Sequence, residues 1–283
     1  MEISTAPKRR KCSAIRKWIH RAFLVWATVS TLWLANSVRT QGVDRKELRN
    51  SVGVQVVDQT QTLEFLPAKA NCKTALVFFC GSGIAAEAYA PLLRPVAEDG
   101  YAVFIIKLPY RFAPLDSHKK SAVDTAISLI SSNPKYECWV LSGHSLGAAL
   151  ACRTILASPA GFDALVLIGT THPKVDDLSF LQIPVTKVYG SNDGIATPES
   201  TLNNKGLLPR HTRRINIQGG NHSQFGHYGH QLFDGRAGIS RLEQQRETRR
   251  ELLKMLSEVD VAYDEQKHAL QPTVENGYLI EVH

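Results

Sequence analysis

Cysteine is scarce in this chain, with five in 283 residues, and no two of them form a Cys-x-x-Cys pair. An odd and scattered set of this kind argues against a fold held together by a disulfide framework. Cys138 and Cys152 lie in apolar segments, where we expect small core residues. Cys72 and Cys80 would be able to pair only in an exported domain, so their state stays open. Cys12 belongs to the N-terminal region.

Most of the chain also lacks an excess of positive or negative charge. The formal net charge is +7, but residues 1–41 alone hold eight Lys and Arg against one acidic residue, Glu2. The remaining residues hold 25 basic and 25 acidic side chains, so the body of the protein is neutral. No basic patch with interleaved aromatic residues is present, and no repeats or low-complexity tracts occur. We therefore expect no nucleic-acid partner.

The N-terminal region combines basic residues with a short apolar run over 22–38, bounded by Arg21 and Arg39. A run of about 17 residues is at the lower limit for a membrane-spanning helix. The basic end favours a single-pass signal-anchor with that end in the cytoplasm, and hence a membrane as partner. The alternatives are secretion after cleavage of a signal, with a site at 35–37, or a transit peptide or interfacial helix. In each case we expect residues 1–45 to lie outside the folded domain.

Beyond residue 45, short apolar runs alternate with helical patterns. Runs without polar alternation, such as 74–79, are typical of strands that are buried on both faces. Strands that alternate with helices predict a mainly parallel sheet with helices on both faces, in one domain over 46–260 followed by a tail over 261–283. The predicted strands are 52–58, 62–66, 74–79, 101–107, 138–143, 163–169, 183–190 and 212–219. The predicted helices are 87–99, 120–132, 146–157 and 241–259.

The sharpest local signal is Gly-x-Ser-x-Gly at residues 143–147, between a predicted buried strand and a helix rich in small residues. In such a turn the serine, here Ser145, is strained and lifts its hydroxyl clear of the sheet toward the helix N-terminus. Gly143 and Gly147 must be small so that strand and helix can approach each other. The pattern predicts Ser145 as a nucleophile. His144 fills the variable position of the motif, where we expect a structural or substrate-lining residue.

A serine nucleophile needs a base, and usually an acid that orients the base. In a fold of this type the chain order is serine, acid, histidine, each on a loop after a strand. Asp193 follows the strand at 183–190 in a turn-forming Asn-Asp-Gly stretch and is the predicted acid. Asp176 and Asp177 are the fallback acids. His222 follows the last predicted strand and is the predicted base.

An oxyanion hole needs two backbone N–H donors beside the nucleophile. We expect one from Leu146, directly after the serine. The second is expected from Ser82 or Gly83, in the glycine-containing loop after the strand at 74–79. An ordinary turn between a strand and a helix is the alternative interpretation of that loop.

Residues 109–114 follow the strand at 101–107 and are expected at the entrance of the site. Tyr110 and Phe112 in this segment are candidates for lining the substrate, through contact with an acyl or aromatic group. Packing of these loop aromatics on their own domain is the alternative.

Three histidines, His222, His227 and His230, lie within nine residues and raise the question of a metal site. Their spacings fit no helix face, and no cysteine or acidic residue lies close by in the sequence. Structural zinc sites normally use four fixed ligands. We therefore favour one catalytic base followed by a glycine-rich loop, with metal binding as the alternative. We expect no metal and no cofactor.

The stretches GHSLG, YGSNDGIATP and GGNHSQFGHYG, in this order, make the chain resemble the alpha/beta-hydrolase superfamily over about residues 50–258. The chain is similar to a compact subgroup of serine hydrolases, related to dienelactone-hydrolase-like and bacterial-type membrane-linked hydrolases. The resemblance implies an alpha/beta-hydrolase fold with an eight-stranded mixed sheet. It also implies a Ser145–Asp193–His222 triad that hydrolyses an acyl ester.

Two departures from the resemblance leave the substrate open. Cys80-Gly81 stands where the family usually has His-Gly, and Ser145 stands where dienelactone hydrolases use cysteine. Only about 13 residues separate the strands at 163–169 and 183–190, so we expect no large cap domain and an open site. The expected substrate is a small-molecule or lipid ester. The alternative is an inactive domain that serves as a binding protein.

Overall fold

The computed structural model describes residues 9–69 and 72–269 and two short strands at 274–275 and 278–279, with side chains from residue 14 to residue 269. The strands of the main sheet are β1 (Val54–Asp58), β2 (Thr62–Pro67), β3 (Thr74–Phe79), β4 (Ala102–Ile106), β5 (Cys138–His144), β6 (Ala164–Ile168), β7 (Val185–Gly190) and β8 (Arg213–Ile217). Their order across the sheet is β1-β2-β4-β3-β5-β6-β7-β8.

Strands β3 to β8 pair in parallel, whereas β1 with β2 and β2 with β4 are antiparallel. The central strands β3, β4, β5 and β6 are buried along their whole length. Continuous burial is the reason that these strands lack polar alternation, because helices cover both of their faces. The predicted eight-stranded, mainly parallel sheet is confirmed.

The helices are α1 (Arg9–Val38), α2 (Ala90–Glu98), α3 (Asp116–Ser132), α4 (Leu146–Ala157), α5 (Pro198–Asn203) and α6 (Arg241–Ala269). Helix α2 packs on α6, and α3 packs on α4, so that two pairs cover the sheet. Helices α4 and α6 both contact the central strands β3, β5 and β6. The segment 169–184 between β6 and β7 holds no helix, so no cap domain lies over this end of the sheet, as predicted.

Two helices differ from the prediction. Helix α6 continues to Ala269, well past the predicted end at 259, because no glycine or proline interrupts it before Pro272. Helix α5 was not predicted, since its six residues are too few to show a period. Its start has a local cause: the Thr197 hydroxyl accepts the N–H of Ser200 at 3.2 Å, and Pro198 opens the helix. In the predicted tail, Val274–Glu275 and Tyr278–Leu279 pair antiparallel.

The four cysteines with described side chains are free thiols. Cys80, Cys138 and Cys152 are buried, and Cys72 is half-buried. Burial raises the pKa of the Cys138 and Cys152 thiols to about 12, so both stay protonated at neutral pH. The core role predicted for these two is confirmed, and Cys72 and Cys80 are not paired. Cys12 lies outside the described side chains.

Helix α1 covers the predicted apolar run. Its residues 14–36 are almost all exposed, and only its last turn is partly buried on the domain. Directly after the helix, the N–H of Gln41 donates to the His227 carbonyl at 2.8 Å, and Thr40 forms an isolated bridge with Tyr228. Among the described helices, none is both long enough and apolar enough to cross a membrane.

Candidate active site

Ser145 lies in a sharp turn between the end of β5 and the start of α4. Its φ of 56° is in the left-handed region, which costs a non-glycine residue on the order of 1–3 kcal/mol. The neighbouring strand β6 holds the turn, because the Ser145 N–H donates to the Ile168 carbonyl at 3.0 Å. The predicted strained conformation is therefore confirmed.

The two glycines of the motif stand where no side chain fits. A Cβ on Gly147 would lie 2.2 Å from the Phe79 carbonyl oxygen of β3. A Cβ on Gly143 would lie 2.4 Å from the backbone of Gly147. Strand and helix are thus in direct backbone contact at the turn, and the predicted need for small residues is confirmed.

The hydroxyl of Ser145 is available to a substrate. The residue is half-buried, and its hydroxyl makes no hydrogen bond to any residue that the structure describes. The next residue, Leu146, is the first of α4, and its N–H has no partner within the helix. A helix N-terminus of this kind favours negative charge beside the serine.

A buried hydrogen bond joins Asp193 to His222. The distance from His222 Nδ1 to Asp193 Oδ2 is 2.9 Å, and both side chains are almost fully buried. The other carboxylate oxygen accepts the N–H groups of Ile195 at 2.9 Å and Ala196 at 2.7 Å. Both oxygens of the acid are therefore engaged as acceptors. The bond at Nδ1 leaves Nε2 as the nitrogen of His222 that is available for proton transfer.

The two fallback acids lie elsewhere. Asp177 is exposed and accepts the N–H of Ser179 at 2.9 Å. Asp176 is half-buried, and its carboxylate bonds to no group in the described part of the chain. The structure pairs His222 with Asp193 and with neither of these residues.

The carboxyl ends of β5, β7 and β8 bring the predicted residues to one edge of the sheet. The loop after β7 is held to the loop after β8, since the N–H of Asn192 donates to the Gly220 carbonyl at 2.8 Å. The ring of His222 lies beside the ring of His144, the residue before Ser145, with 4.7 Å between centroids. The serine turn and the hydrogen-bonded Asp193–His222 pair are thus neighbours in space.

Asp234 connects the loop after β7 to the loop after β8. Its Oδ1 accepts the N–H of Gly194 at 3.2 Å and the N–H of His222 at 3.1 Å. Its Oδ2 accepts the N–H and the hydroxyl of Ser223 at 2.8 and 2.7 Å. Sequence reasoning missed this residue, because an Asp-Gly pair in a loop is an ordinary turn signal.

His144 does not line an exposed surface, so the substrate-lining part of its prediction is corrected. The side chain is 1% exposed and lies against the ring of His222. The Tyr89 hydroxyl accepts the N–H of Gly81 at 2.9 Å and lies 2.9 Å from His144 Nδ1. Burial holds the pKa of His144 well below its usual value, so the ring is neutral, and its Nδ1 is hydrogen-bonded to the Tyr89 hydroxyl. His144 is a structural residue that supports the loop after β3.

The loop after β3 was predicted to supply a backbone donor to the oxyanion hole. The N–H of Gly83 donates to the Arg111 carbonyl at 2.8 Å, and the N–H of Gly81 is held by a tyrosine hydroxyl. The prediction of Gly83 as an oxyanion donor is therefore corrected, since its N–H is already used. The N–H of Ser82 bonds to no described residue, which leaves Ser82 and Leu146 as the candidate pair.

The segment that was predicted at the entrance is a strained turn. Three of its residues, within 110–113, have positive φ. Phe112 lies over the loop after β3, with a ring atom 2.8 Å from the point where a Cβ of Gly83 would stand. Tyr110 is 79% exposed, and its ring lies beside that of His118 on α3. Contact of Tyr110 and Phe112 with a substrate stays a prediction.

The side chains of the other two histidines of the cluster make no hydrogen bond to Asp193 or His222. His227 is half-buried, and burial lowers its pKa below the usual value. His230 is exposed. Within the described ranges, no group of three His, Cys, Asp or Glu side chains is arranged to hold a metal ion.

Comparison with known sequences supports one family. A sequence model of the Alpha/beta hydrolase family matches residues 75–246, which is more than half of the chain. Comparison with curated protein sequences gives no significant match.

Solved structures share the fold at low sequence identity. An alpha/beta hydrolase enzyme from the metagenome of lagoon sediments at Mar Chica, Morocco, is 18% identical with a TM-score of 0.56, over 73% of this chain and 99% of its own. A membrane phospholipase A, described as a bacterial virulence factor, is 13% identical with a TM-score of 0.56, and the match covers 89% of this chain and 99% of the phospholipase. A predicted CIB-like hydrolase from Thermoplasma acidophilum is 14% identical with a TM-score of 0.54, and the match covers 72% of this chain and 96% of that hydrolase.

Proposed function

The chain belongs to the alpha/beta hydrolase family, and we propose that it is a serine hydrolase that cleaves carboxylic esters through an acyl-enzyme intermediate. The observation that carries the proposal is the buried 2.9 Å bond between Asp193 and His222, at the sheet edge where Ser145 stands in its strained turn. A carboxylate on Nδ1 orients the imidazole and leaves the other nitrogen for a serine proton.

In the first step, Ser145 Oγ forms a bond to the carbonyl carbon of the ester, and its proton passes to His222 Nε2. The carbonyl electron pair moves to the oxygen, which becomes an oxyanion. Asp193 stabilises the imidazolium that forms, while both of its oxygens stay bonded.

The oxyanion would be stabilised by the N–H groups of Leu146 and Ser82. Both belong to backbone that is fixed before the reaction: Leu146 by α4 and Ser82 by neighbours whose N–H groups are already bonded. Donors that need no rearrangement are the most effective, and removing one typically lowers the rate by about 10²–10³-fold.

The intermediate then collapses, and the C–O bond to the alcohol breaks as His222 returns its proton to the leaving oxygen. Water attacks the acyl group on Ser145, with the same histidine as base. The second collapse releases the carboxylic acid and restores the serine hydroxyl. The reaction balances as ester plus water giving acid plus alcohol, with no cofactor.

The proposed substrate is a small-molecule or lipid ester. The absence of a helix over 169–184 leaves this end of the sheet open, which suits substrates of varied length. The membrane phospholipase A that shares the fold acts on lipid esters by its name, and this supports a similar class here by analogy.

Attachment to a membrane through α1 is part of the proposal, with secretion after signal cleavage as the alternative. Support comes from the exposed apolar run and from Arg16, Lys17 and Arg21 ahead of it. The mass of the mature chain, and its distribution between membrane and soluble fractions, separate the two.

Replacing the nucleophile tests the proposed chemistry. We expect Ser145→Ala to lower kcat on a short-chain p-nitrophenyl ester by about four to six orders of magnitude. The same variant should lose labelling by a fluorophosphonate probe, which reacts with an activated serine. Steady-state kinetics and in-gel fluorescence measure the two effects.

Two histidine variants serve as matched controls for that experiment. His222→Ala should lose activity to a similar degree, because the triad acts as a unit. His230→Ala, which changes an exposed histidine of the same cluster, should keep it. Labelling that persists in Ser145→Ala refutes the assignment, and a wild-type protein that neither labels nor turns over esters contradicts the proposed ester hydrolysis and favours the alternative of a binding protein.

A further inference from the structure

Helix α1 stands off the domain with large apolar side chains uncovered. Three of the four tryptophans of the chain lie on it, with Trp18 72% exposed, Trp26 65% and Trp33 40%. A helix this rich in apolar residues normally buries them against protein or lipid. In the described part of the chain, no element covers α1 between residues 14 and 36.

The side chains of α1 divide into two faces. With about 3.6 residues per turn, one stripe carries the three tryptophans, the flanks of that stripe are also apolar, and most of the polar and basic residues lie on the opposite face. The apolar stripe consists of Ile15, Trp18, Trp26, Val29 and Trp33. The opposite face consists of Lys17, His20, Arg21, Leu24, Thr28 and Thr31. Tryptophans on one side with basic residues on the other are typical of a helix that lies in a membrane surface.

The last turn of α1 and the residues after it meet the candidate active site. A methyl carbon of Val38 lies 3.2 Å from the point where a Cβ of Gly83 would stand, and Phe112 approaches the same point. The N–H of Gln41 donates to the His227 carbonyl in the loop that carries the base. The helix therefore leaves the domain at the mouth of the site, between the loop after β3 and the loop after β8.

Exposed apolar side chains also lie on one side of that mouth. Three of them lie in the segment after β4: Tyr110, Phe112 and Leu115. Between 50% and 79% of the surface of each is exposed. Their segment follows the carboxyl end of a parallel strand, which is the edge of the sheet that carries Ser145. Phe112 links this segment to Val38 of α1 through their common neighbour Gly83.

We propose that the apolar stripe of α1 and the exposed side chains of 110–115 form one surface that binds an anionic lipid membrane, and that the esters cleaved at Ser145 are lipids of that membrane. The inference rests on the proposed ester hydrolysis and names its substrate class. Apolar side chains enter the headgroup region, and the basic residues of α1 attract anionic headgroups. A second copy of the chain is a less suitable occupant, because helix pairing favours Leu, Ile and Val over tryptophan in such a stripe.

The test compares two charge-matched variants of the full-length protein. Trp26→Glu/Trp33→Glu places two carboxylates on the apolar stripe, and Thr28→Glu/Thr31→Glu places two on the opposite face of the same helix. Each protein is floated with vesicles of phosphatidylcholine alone or with phosphatidylglycerol. Hydrolysis is measured on a fluorogenic phospholipid in those vesicles and on a soluble p-nitrophenyl ester.

We expect the ratio of vesicle to soluble activity to fall by about tenfold or more in the tryptophan variant, and far less in the threonine variant. Wild-type flotation should be stronger with phosphatidylglycerol. An unchanged ratio in the tryptophan variant, or an equal fall in both variants, overturns the inference. If the wild-type protein sediments as a dimer, and the tryptophan variant loses the dimer but still binds vesicles, the stripe binds a second copy of the chain and the inference is overturned. If the soluble ester is not hydrolysed by any form, the proposed function fails, while flotation still reports on lipid binding.

Discussion

Single carboxylates hold the candidate site together by accepting hydrogen bonds on both oxygens. Asp193 binds the imidazole on one oxygen and two backbone N–H groups on the other. Asp234 accepts four hydrogen bonds, from Gly194, His222 and Ser223, and so joins the loop after β7 to the loop after β8. A carboxylate is suited to both positions because it presents only acceptors.

Asp234→Asn tests this positioning role. In asparagine an NH2 group replaces one acceptor oxygen and would face the N–H or O–H groups that donate to Asp234. We therefore expect the histidine to shift and kcat to fall by about 10- to 100-fold, with a smaller change in KM. Ester kinetics measure the two constants separately. Asp177→Asn is the control, because that exposed aspartate also accepts a backbone N–H but lies on another loop. Equal effects of the two variants would contradict the role.

At the scale of elements, the serine turn depends on backbone contact between α4 and the strands beneath it. A side chain on Gly147 would overlap the Phe79 and Cys80 carbonyls at the end of β3, and one on Gly143 would overlap the backbone of Gly147. Backbone atoms cannot swing aside as a flexible side chain can. The motif therefore needs glycine at both ends for packing, and the serine between them is held in its left-handed conformation.

Gly147→Ala should destabilise the fold by about 1–3 kcal/mol or more, because the added methyl overlaps backbone oxygens. Urea unfolding followed by circular dichroism measures the change. Gly206→Ala is the matched control, since a Cβ there meets nothing within 4 Å. We expect this control to stay within about 0.5 kcal/mol of wild type. Similar losses in both variants would show that the contact at Gly147 is unimportant.

At the scale of the whole molecule, burial disfavours the protonated form of three histidines among the described residues. Burial lowers the pKa of His144, His172 and His227 below the usual 6.5. In the unfolded chain these rings take up protons as the pH falls through 6.5, whereas in the folded chain they resist protonation. The unfolded state then binds more protons, so the fold loses stability as the medium becomes acidic.

We predict that the free energy of unfolding falls between pH 7 and pH 5. The fully buried His144 alone contributes a slope of at most about 1.4 kcal/mol per pH unit. Urea unfolding at several pH values measures the slope. His144→Gln keeps a hydrogen-bonding group beside Tyr89 but cannot titrate, so its slope should be shallower than that of wild type. An identical slope in this variant would show that His144 is not held neutral.

The sequence by itself determined the order of the elements and the position of the serine turn. The apolar runs at 74–79 and 138–143 predicted buried strands, because a strand covered on both faces needs no polar alternation. Gly143 and Gly147 around Ser145 predicted the turn, because strand, motif and helix are contiguous in the chain. Asp193 and His222 were predicted because both follow strands, and parallel strands end at one edge.

Only the tertiary structure decided which of several similar residues are engaged. Asp176, Asp177 and Asp193 all follow a strand, yet only Asp193 reaches the histidine. Ser82 and Gly83 are adjacent, yet only the N–H of Gly83 is already bonded, to the carbonyl of Arg111 in another loop. Asp234 had no signal in the sequence. Each of these outcomes depends on a hydrogen bond between loops that are distant along the chain, and such bonds leave no periodic or compositional pattern.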